Sequence, residues 1–165
     1  MKQSATDKNT IIRRLRTGSI GICVFYFLLT IFYAERGIGM LPNLKPEAEL
    51  EIYRYETISQ TVTYFLMAAA MLLAAILFLQ IARKGMPFQD QHVRTVCIIG
   101  VLFLIIAVIP APAALLLAKL NGVDTAMFLS PLISISALLE GFLMLFIAQI
   151  LHYGTMLQLE SDETL

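Results

Sequence analysis

Four long stretches of this 165-residue chain carry almost no charge, and they constrain its fold more than any other feature. Residues 17–34, 57–82 and 95–118 contain no Asp, Glu, Lys or Arg, and residues 125–159 contain only Glu140. Each stretch is near or above the roughly 18–20 residues that an α-helix needs to cross a hydrocarbon core. Because lipid cannot hydrogen-bond to an open backbone, we predict an all-α, polytopic membrane protein, a bundle of four transmembrane helices.

A soluble helical bundle is the alternative fold, and its helices would need polar faces at a 3.6-residue period. Residues 65–79 and 96–109 are instead apolar all round. The chain is 58% hydrophobic, above the roughly 45–50% of an average soluble domain. We therefore reject the soluble bundle and expect a single membrane domain without a separate soluble catalytic domain.

The polar segments between the apolar stretches set the expected boundaries. The first span is expected to be a retained anchor, because no small-x-small cleavage site follows it. We predict helices over about residues 11–34, 58–82, 90–119 and 131–153, an outer loop over 35–57, a cytoplasmic loop over 83–89 and a cytoplasmic tail over 154–165.

Lysine and arginine near the ends of the spans predict the orientation. Eight of the 12 basic residues lie in residues 1–16 and 83–94. The segments expected on the opposite side of the membrane contain the other four, Arg36, Lys45, Arg54 and Lys119. Since cytoplasmic loops are enriched in Lys and Arg, we expect both termini in the cytoplasm. The expected location is the bacterial cytoplasmic (inner) membrane.

Two features predict where helices bend or end. Pro110 and Pro112 fall inside the third span, where proline removes a backbone donor, so we expect a kink or a break there. Gly154 follows the fourth predicted helix and is expected to cap its C-terminus.

Glu140 is the one formal charge inside the apolar stretches, and it falls near the middle of the fourth predicted helix. A charged carboxylate there costs about 2.5–3.5 kcal/mol or more, so such a residue suggests a proton or cation site, or a polar clamp between helices. The alternative is a protonated acid that is hydrogen-bonded to a neighbouring helix, with Tyr26 and Tyr64 as candidate partners. Both interpretations stay open.

Small residues recur in two of the predicted helices and allow helices to pack closely. We expect this packing to lie within the monomer and leave a homo-oligomer open. The residues are Ala70 and Ala74 in the second helix, and Ser134, Ala137, Gly141 and Ala148 in the fourth.

No residue pattern in the chain indicates an enzyme or a metal site. A glycine-rich phosphate loop, HExxH and GxSxG are all missing from the sequence. Cys23 and Cys97 have no metal-binding spacing, and His92 and His152 are expected at the membrane interface. We therefore expect no catalytic residue, no cofactor and no metal.

Two short stretches on the predicted cytoplasmic side have a distinctive sequence pattern. Gly85, Pro87 and Phe88 precede the third helix, and an aromatic-x-x-Gly-x-x-Leu-Gln-like run with an acidic Asp-x-Thr tail ends the chain. This pattern resembles the DUF2975 family of small four-helix bacterial membrane proteins. The family often has Glu-Asn where this chain has Asp90-Gln91. The matching residues near the end are Gly154, Leu157, Gln158, Asp162 and Thr164.

The resemblance implies no established activity. Genes of this family commonly lie beside one for a small helix-turn-helix regulator, which implies a membrane protein that senses a signal and restrains or releases that regulator. The protein itself is not expected to bind nucleic acid directly. The candidate docking residues are Arg83, Lys84, Pro87, Phe88, Arg94, Gln158, Asp162 and Thr164.

Three alternatives to this regulatory role stay open. In the first, the basic residues of the loop bind lipid headgroups and the acidic tail is only solvated. In the second, the protein is a small proton- or cation-coupled transporter that uses Glu140. In the third, it is a membrane immunity or stress-protection protein.

Overall fold

The computed structural model describes residues 2–44, 51–84, 89–126 and 131–163. Those residues form five α-helices and one short 3₁₀ helix, with no strand among them. The helices are α1 (Lys2–Met40), the 3₁₀ helix (Leu41–Leu44), α2 (Glu51–Lys84), α3 (Asp90–Val108), α4 (Pro110–Leu120) and α5 (Ile135–Glu163).

Four helical segments of the described chain are long and apolar enough to cross a membrane. They are α1, α2, α3 together with α4, and α5, which correspond to the four apolar stretches of the sequence. The predicted all-α fold with four membrane-spanning segments is confirmed.

The third span is interrupted at Ile109, as the two prolines predict. Pro110 has no backbone N–H, so the carbonyl of Ile106 loses its helical donor. The neighbouring Ala107 carbonyl accepts a hydrogen bond of 3.0 Å from the backbone N–H of Ser134. The start of α5 is therefore fixed beside the break between α3 and α4, and not at the far end of α4.

The far end of α4 is closed by a glycine turn. Gly122 has a φ of 74°, the one positive φ among the described residues. Its N–H donates to the carbonyl of Lys119 at 3.0 Å, and the N–H of Val123 donates to the carbonyl of Ala118 at 3.1 Å. This pair of bonds is the Schellman arrangement, which needs a left-handed residue at the position that Gly122 holds.

The helices lie in an open row. Among the described residues, α1 packs along α2, α2 packs on α3 and α4, and α5 packs on α3 alone. The most apolar stretches of the two central spans are 33% and 39% buried, against 6% for α1 and 17% for α5. The two outer helices therefore expose most of their apolar surface to the membrane.

Small residues bring α3 and α5 into close contact. A Cβ at Gly141 would lie 2.8 Å from Leu104 Cδ2 and 3.1 Å from the backbone oxygen of Gly100. Ala137 and Ala148 are buried on the same face of α5. The small residues therefore pack within the monomer, as expected. The main core cluster that this packing joins contains Ala70, Ala74, Ile99, Phe103, Ile106, Ala107 and Ala137.

Several helix boundaries differ from the expected ones. The helix α1 begins at Lys2 and continues to Met40, α2 begins at Glu51, and α5 begins at Ile135 and runs past Gly154 to Glu163. Gly154 is inside α5 and does not cap it. Apolar stretches mark the membrane-embedded part of a helix, whereas the Leu, Gln and Glu residues that follow Gly154 have good helix propensity and continue the helix outside it.

Candidate functional site

The C-terminal part of α5 extends beyond the end of α3. Asp90 and Arg94 of α3 line the same cavity as Gln149 and His152 of α5, so His152 lies level with the first turns of α3. Residues 153–163 continue past that level as one helix. At 1.5 Å per residue this segment, here named the α5 extension, is about 16 Å long.

The α5 extension exposes four apolar side chains, which are Tyr153, Met156, Leu157 and Leu159. Tyr153 (64% exposed) and Leu157 (47% exposed) continue a helical spacing of three and four residues from Ile150, and these three residues are here named the apolar stripe. Gln158 and Glu160 on the extension are also exposed. Where such a stripe lies in water, it is a typical surface for a partner protein.

The extension has a buried residue near its start. Thr155, its third residue, is 7% exposed, and its hydroxyl donates to the backbone carbonyl of His152 at 2.7 Å. Because α5 is one unbroken helix from Ile135, a rotation or shift of its membrane-embedded part would move the extension with it.

The basic residues of the expected docking surface lie at the end of α2 and in the second turn of α3. Arg83 and Lys84 are exposed at the end of α2, and Arg94 is exposed on α3. The amine of Lys84 donates to Gln89 Oε1 at 3.3 Å and to Gln91 Oε1 at 3.5 Å.

The five other predicted docking residues have different outcomes. Gln158 is exposed on the α5 extension. Asp162 lies in the last turn of α5, but its side chain is outside the described residues. Pro87, Phe88 and Thr164 also lie outside the described residues, so their place on the docking surface stays a prediction.

Sequence reasoning missed a cavity of about 420 Å³ between α3 and α5. Its only sequence signal is the spacing of Asp90 and Arg94, which places both side chains on one face of a helix, one turn apart. Asp90, Val93, Arg94, Cys97, Ala148, Gln149 and His152 line the cavity.

Glu140 lies on the outer side of the helix row. It is the sixth residue of α5 and is exposed, next to Gly141, which packs on Gly100. Gly100 lies six residues from Arg94, which is about 9 Å along α3 towards the middle of the apolar span. Because Glu140 is level with Gly100, it lies in the apolar zone. Along its own helix, Glu140 is in the second turn and not near the middle.

The two candidate partners of Glu140 are not near it. Tyr26 of α1 stacks on Phe78 of α2 with ring centroids 5.7 Å apart, and Tyr64 lies against Tyr33 at 6.3 Å. The helix α5 packs on neither α1 nor α2 in the described part of the chain. The structure thus does not bring Glu140 together with Tyr26 or Tyr64.

Two buried polar residues were not expected. His92 is 1% exposed on the inner face of α3, whereas His152 is exposed in the cavity. Glu56 of α2 is 8% exposed, although the sequence placed it in a solvated loop. In the described residues, no group of three or more His, Cys, Asp or Glu side chains is placed to hold a metal ion.

Four apolar helical spans joined by short polar segments define a polytopic α-helical membrane protein. The chain belongs to the DUF2975 family, described as proteins of unknown function, whose model matches residues 43–165. That range contains both stretches on which the resemblance rested, so the family assignment is confirmed. No curated protein and no solved structure matches the chain.

Proposed function

We propose that this protein is a non-enzymatic regulatory or accessory factor of the bacterial cytoplasmic membrane, with both termini in the cytoplasm. Its partner is a soluble cytoplasmic protein, a helix-turn-helix regulator, that docks on the α5 extension. The basic residues at the end of α2 contribute to the same surface.

The observation that carries this proposal is the exposed apolar stripe on the α5 extension. Apolar residues that face lipid need no partner, but Tyr153 and Leu157 lie beyond the start of α3, past the level of the charged residues Asp90 and Arg94. Exposed apolar stripes in water mark interaction sites, and a helix face of this kind fits a groove on a partner protein.

The presence of both acidic and basic residues among the docking candidates supports a protein partner over a lipid surface. The end of α5 is acidic, with Glu160, Asp162 and Glu163, whereas Arg83 and Lys84 at the end of α2 are basic. Anionic headgroups repel the acidic segment. A partner with complementary charge contacts both, and such charges chiefly set orientation and association rate.

The test compares two leucines on opposite sides of the extension. Leu157 belongs to the stripe, whereas Leu159 is also exposed but lies about 200° further round the helix, at 100° per residue. We expect Leu157→Asp to lower recovery of the soluble partner with the tagged full-length protein by roughly thirtyfold, because an apolar anchor is typically worth ~2 kcal/mol. Mass spectrometry of the co-purified material measures this.

Leu159→Asp is the matched control and should leave recovery at the wild-type level, with equal amounts of both variants in the membrane. Equal recovery with both variants would exclude the stripe as the docking site. Recovery of no soluble partner from wild-type membranes would contradict the regulatory role itself.

A further inference from the structure

The cavity between α3 and α5 contains opposite charges that do not pair with each other. Asp90 and Arg94 are four residues apart on one face of α3, and both line the cavity. Within the described residues, neither side chain has a hydrogen bond or ion pair. Gln149 and His152 add polar groups from α5, and Val93, Cys97 and Ala148 complete the wall.

The position of the cavity is that of a membrane interface. Arg94 is the last charged residue before the uncharged residues 95–118 of the third span. Interfaces of this kind hold phospholipid headgroups, whose phosphates attract basic side chains. The volume of about 420 Å³ lies in the range of small-molecule sites.

The two helices that form the cavity continue towards the membrane centre with exposed apolar side chains. Ile98 and Val101 lie one and two turns beyond Arg94 on the same face of α3. Phe142 and Phe146 lie two turns and one turn from Gln149 on α5. A polar cavity that opens onto an apolar groove matches a lipid with a headgroup and acyl chains, and a free phosphate compound would use only the polar half.

We propose that this cavity is a binding site for a phospholipid with a zwitterionic phosphoethanolamine headgroup. Arg94 binds the phosphate, with Gln149 and His152 as further polar contacts. Asp90 binds the ammonium group, which is a hydrogen-bond donor of opposite charge to the carboxylate. The acyl chains lie along Ile98, Val101 and the two phenylalanines.

The charges in the cavity decide between headgroups. A site for an anionic lipid alone would not place a carboxylate one turn from its arginine, because that carboxylate would repel the phosphate. Phosphocholine has no N–H donor for Asp90 and is bulkier. The site should therefore prefer phosphatidylethanolamine to phosphatidylglycerol and phosphatidylcholine.

Native mass spectrometry of the full-length protein in mild detergent tests the site, with each of the three lipids added separately at equal concentration. Arg94→Gln should reduce bound phosphatidylethanolamine by at least about tenfold, because the phosphate loses a charge-assisted hydrogen bond. Asp90→Asn should reduce phosphatidylethanolamine binding while leaving phosphatidylglycerol binding unchanged or increased.

Arg16→Gln is the matched control, because Arg16 is exposed on α1 and does not line the cavity. Its lipid binding should equal that of the wild type. Equal losses in the Arg16 and Arg94 variants would overturn the proposal, since they would indicate general attraction to headgroups. Unchanged lipid preference in the Asp90 variant would also overturn it.

Soluble O-phosphoethanolamine and inorganic phosphate separate a lipid site from a phosphate site. Neither should displace the bound lipid at equal concentration, because neither fills the apolar groove. Displacement by either would overturn the assignment to a lipid. The measurement contains no partner protein, so its outcome is independent of whether a regulator docks on the α5 extension.

Discussion

At the scale of single residues, the contact between Gly100 and Gly141 shows how little space separates α3 from α5. Each glycine faces the backbone oxygen of the other, and a Cβ on either would lie 3.1 Å from that oxygen. Close approach of this kind drives helix association in membranes, where the hydrophobic effect does not act between helices. The pair therefore sets the distance between the two helices.

Gly141→Ala should destabilise the protein, although alanine is the better helix former. The added methyl group meets Leu104 at 2.8 Å and the Gly100 oxygen at 3.1 Å, and overpacking typically costs about 1–3 kcal/mol. Thermal unfolding in detergent measures the effect as a lower midpoint.

Gly21→Ala is the control for helix propensity, because a Cβ at Gly21 meets nothing within 4 Å. That variant should be as stable as the wild type or more so, by up to about 1 kcal/mol. A Gly141→Ala variant that matches the Gly21→Ala variant in stability would show that the helices are not in close contact.

Glu140 shows what a single residue can and cannot reveal from sequence. Its presence in an apolar stretch is visible without a structure, and so is the small-residue pattern around it. The direction that its side chain takes depends on how α5 is rotated against α3, which the Gly100–Gly141 contact determines. Its role as a proton or cation site stays a prediction.

At the scale of helices, the sequence predicts membrane crossings better than helix ends. The apolar stretches identified all four spans, and the prolines identified the break at Ile109. The α5 extension was missed because Gly154 was interpreted as the C-terminal cap of the helix. Gly154 is an ambiguous signal, since glycine both caps helices and occurs inside them.

Gly122→Ala should destabilise the end of α4 by about 1–2 kcal/mol, because the left-handed conformation at a φ of 74° is unfavourable for a residue with a Cβ. Thermal unfolding in detergent measures this loss too. Gly39→Ala serves as the control, since Gly39 is helical and a Cβ there meets nothing within 4 Å. Equal midpoints for the two variants would contradict the glycine turn.

At the scale of the whole molecule, the open row of helices leaves the two outer spans largely exposed to the membrane. The helix α5 begins beside the break in the third span and is 29 residues long, so its C-terminal end passes the start of α3. This offset could not be predicted from the sequence, because it depends on one hydrogen bond between Ser134 and Ala107. The same offset creates both the α5 extension and the wall of the cavity.

The central claim is that the α5 extension lies in the cytoplasm, on the same side as the N-terminus. Single cysteines introduced by Ser161→Cys, Lys8→Cys and Asn121→Cys, in a background without Cys23 and Cys97, test it with a membrane-impermeant maleimide. Position 121 should react in intact spheroplasts, whereas positions 8 and 161 should react only after the membrane is opened. Labelling of position 161 in intact spheroplasts would place the extension outside and contradict the account.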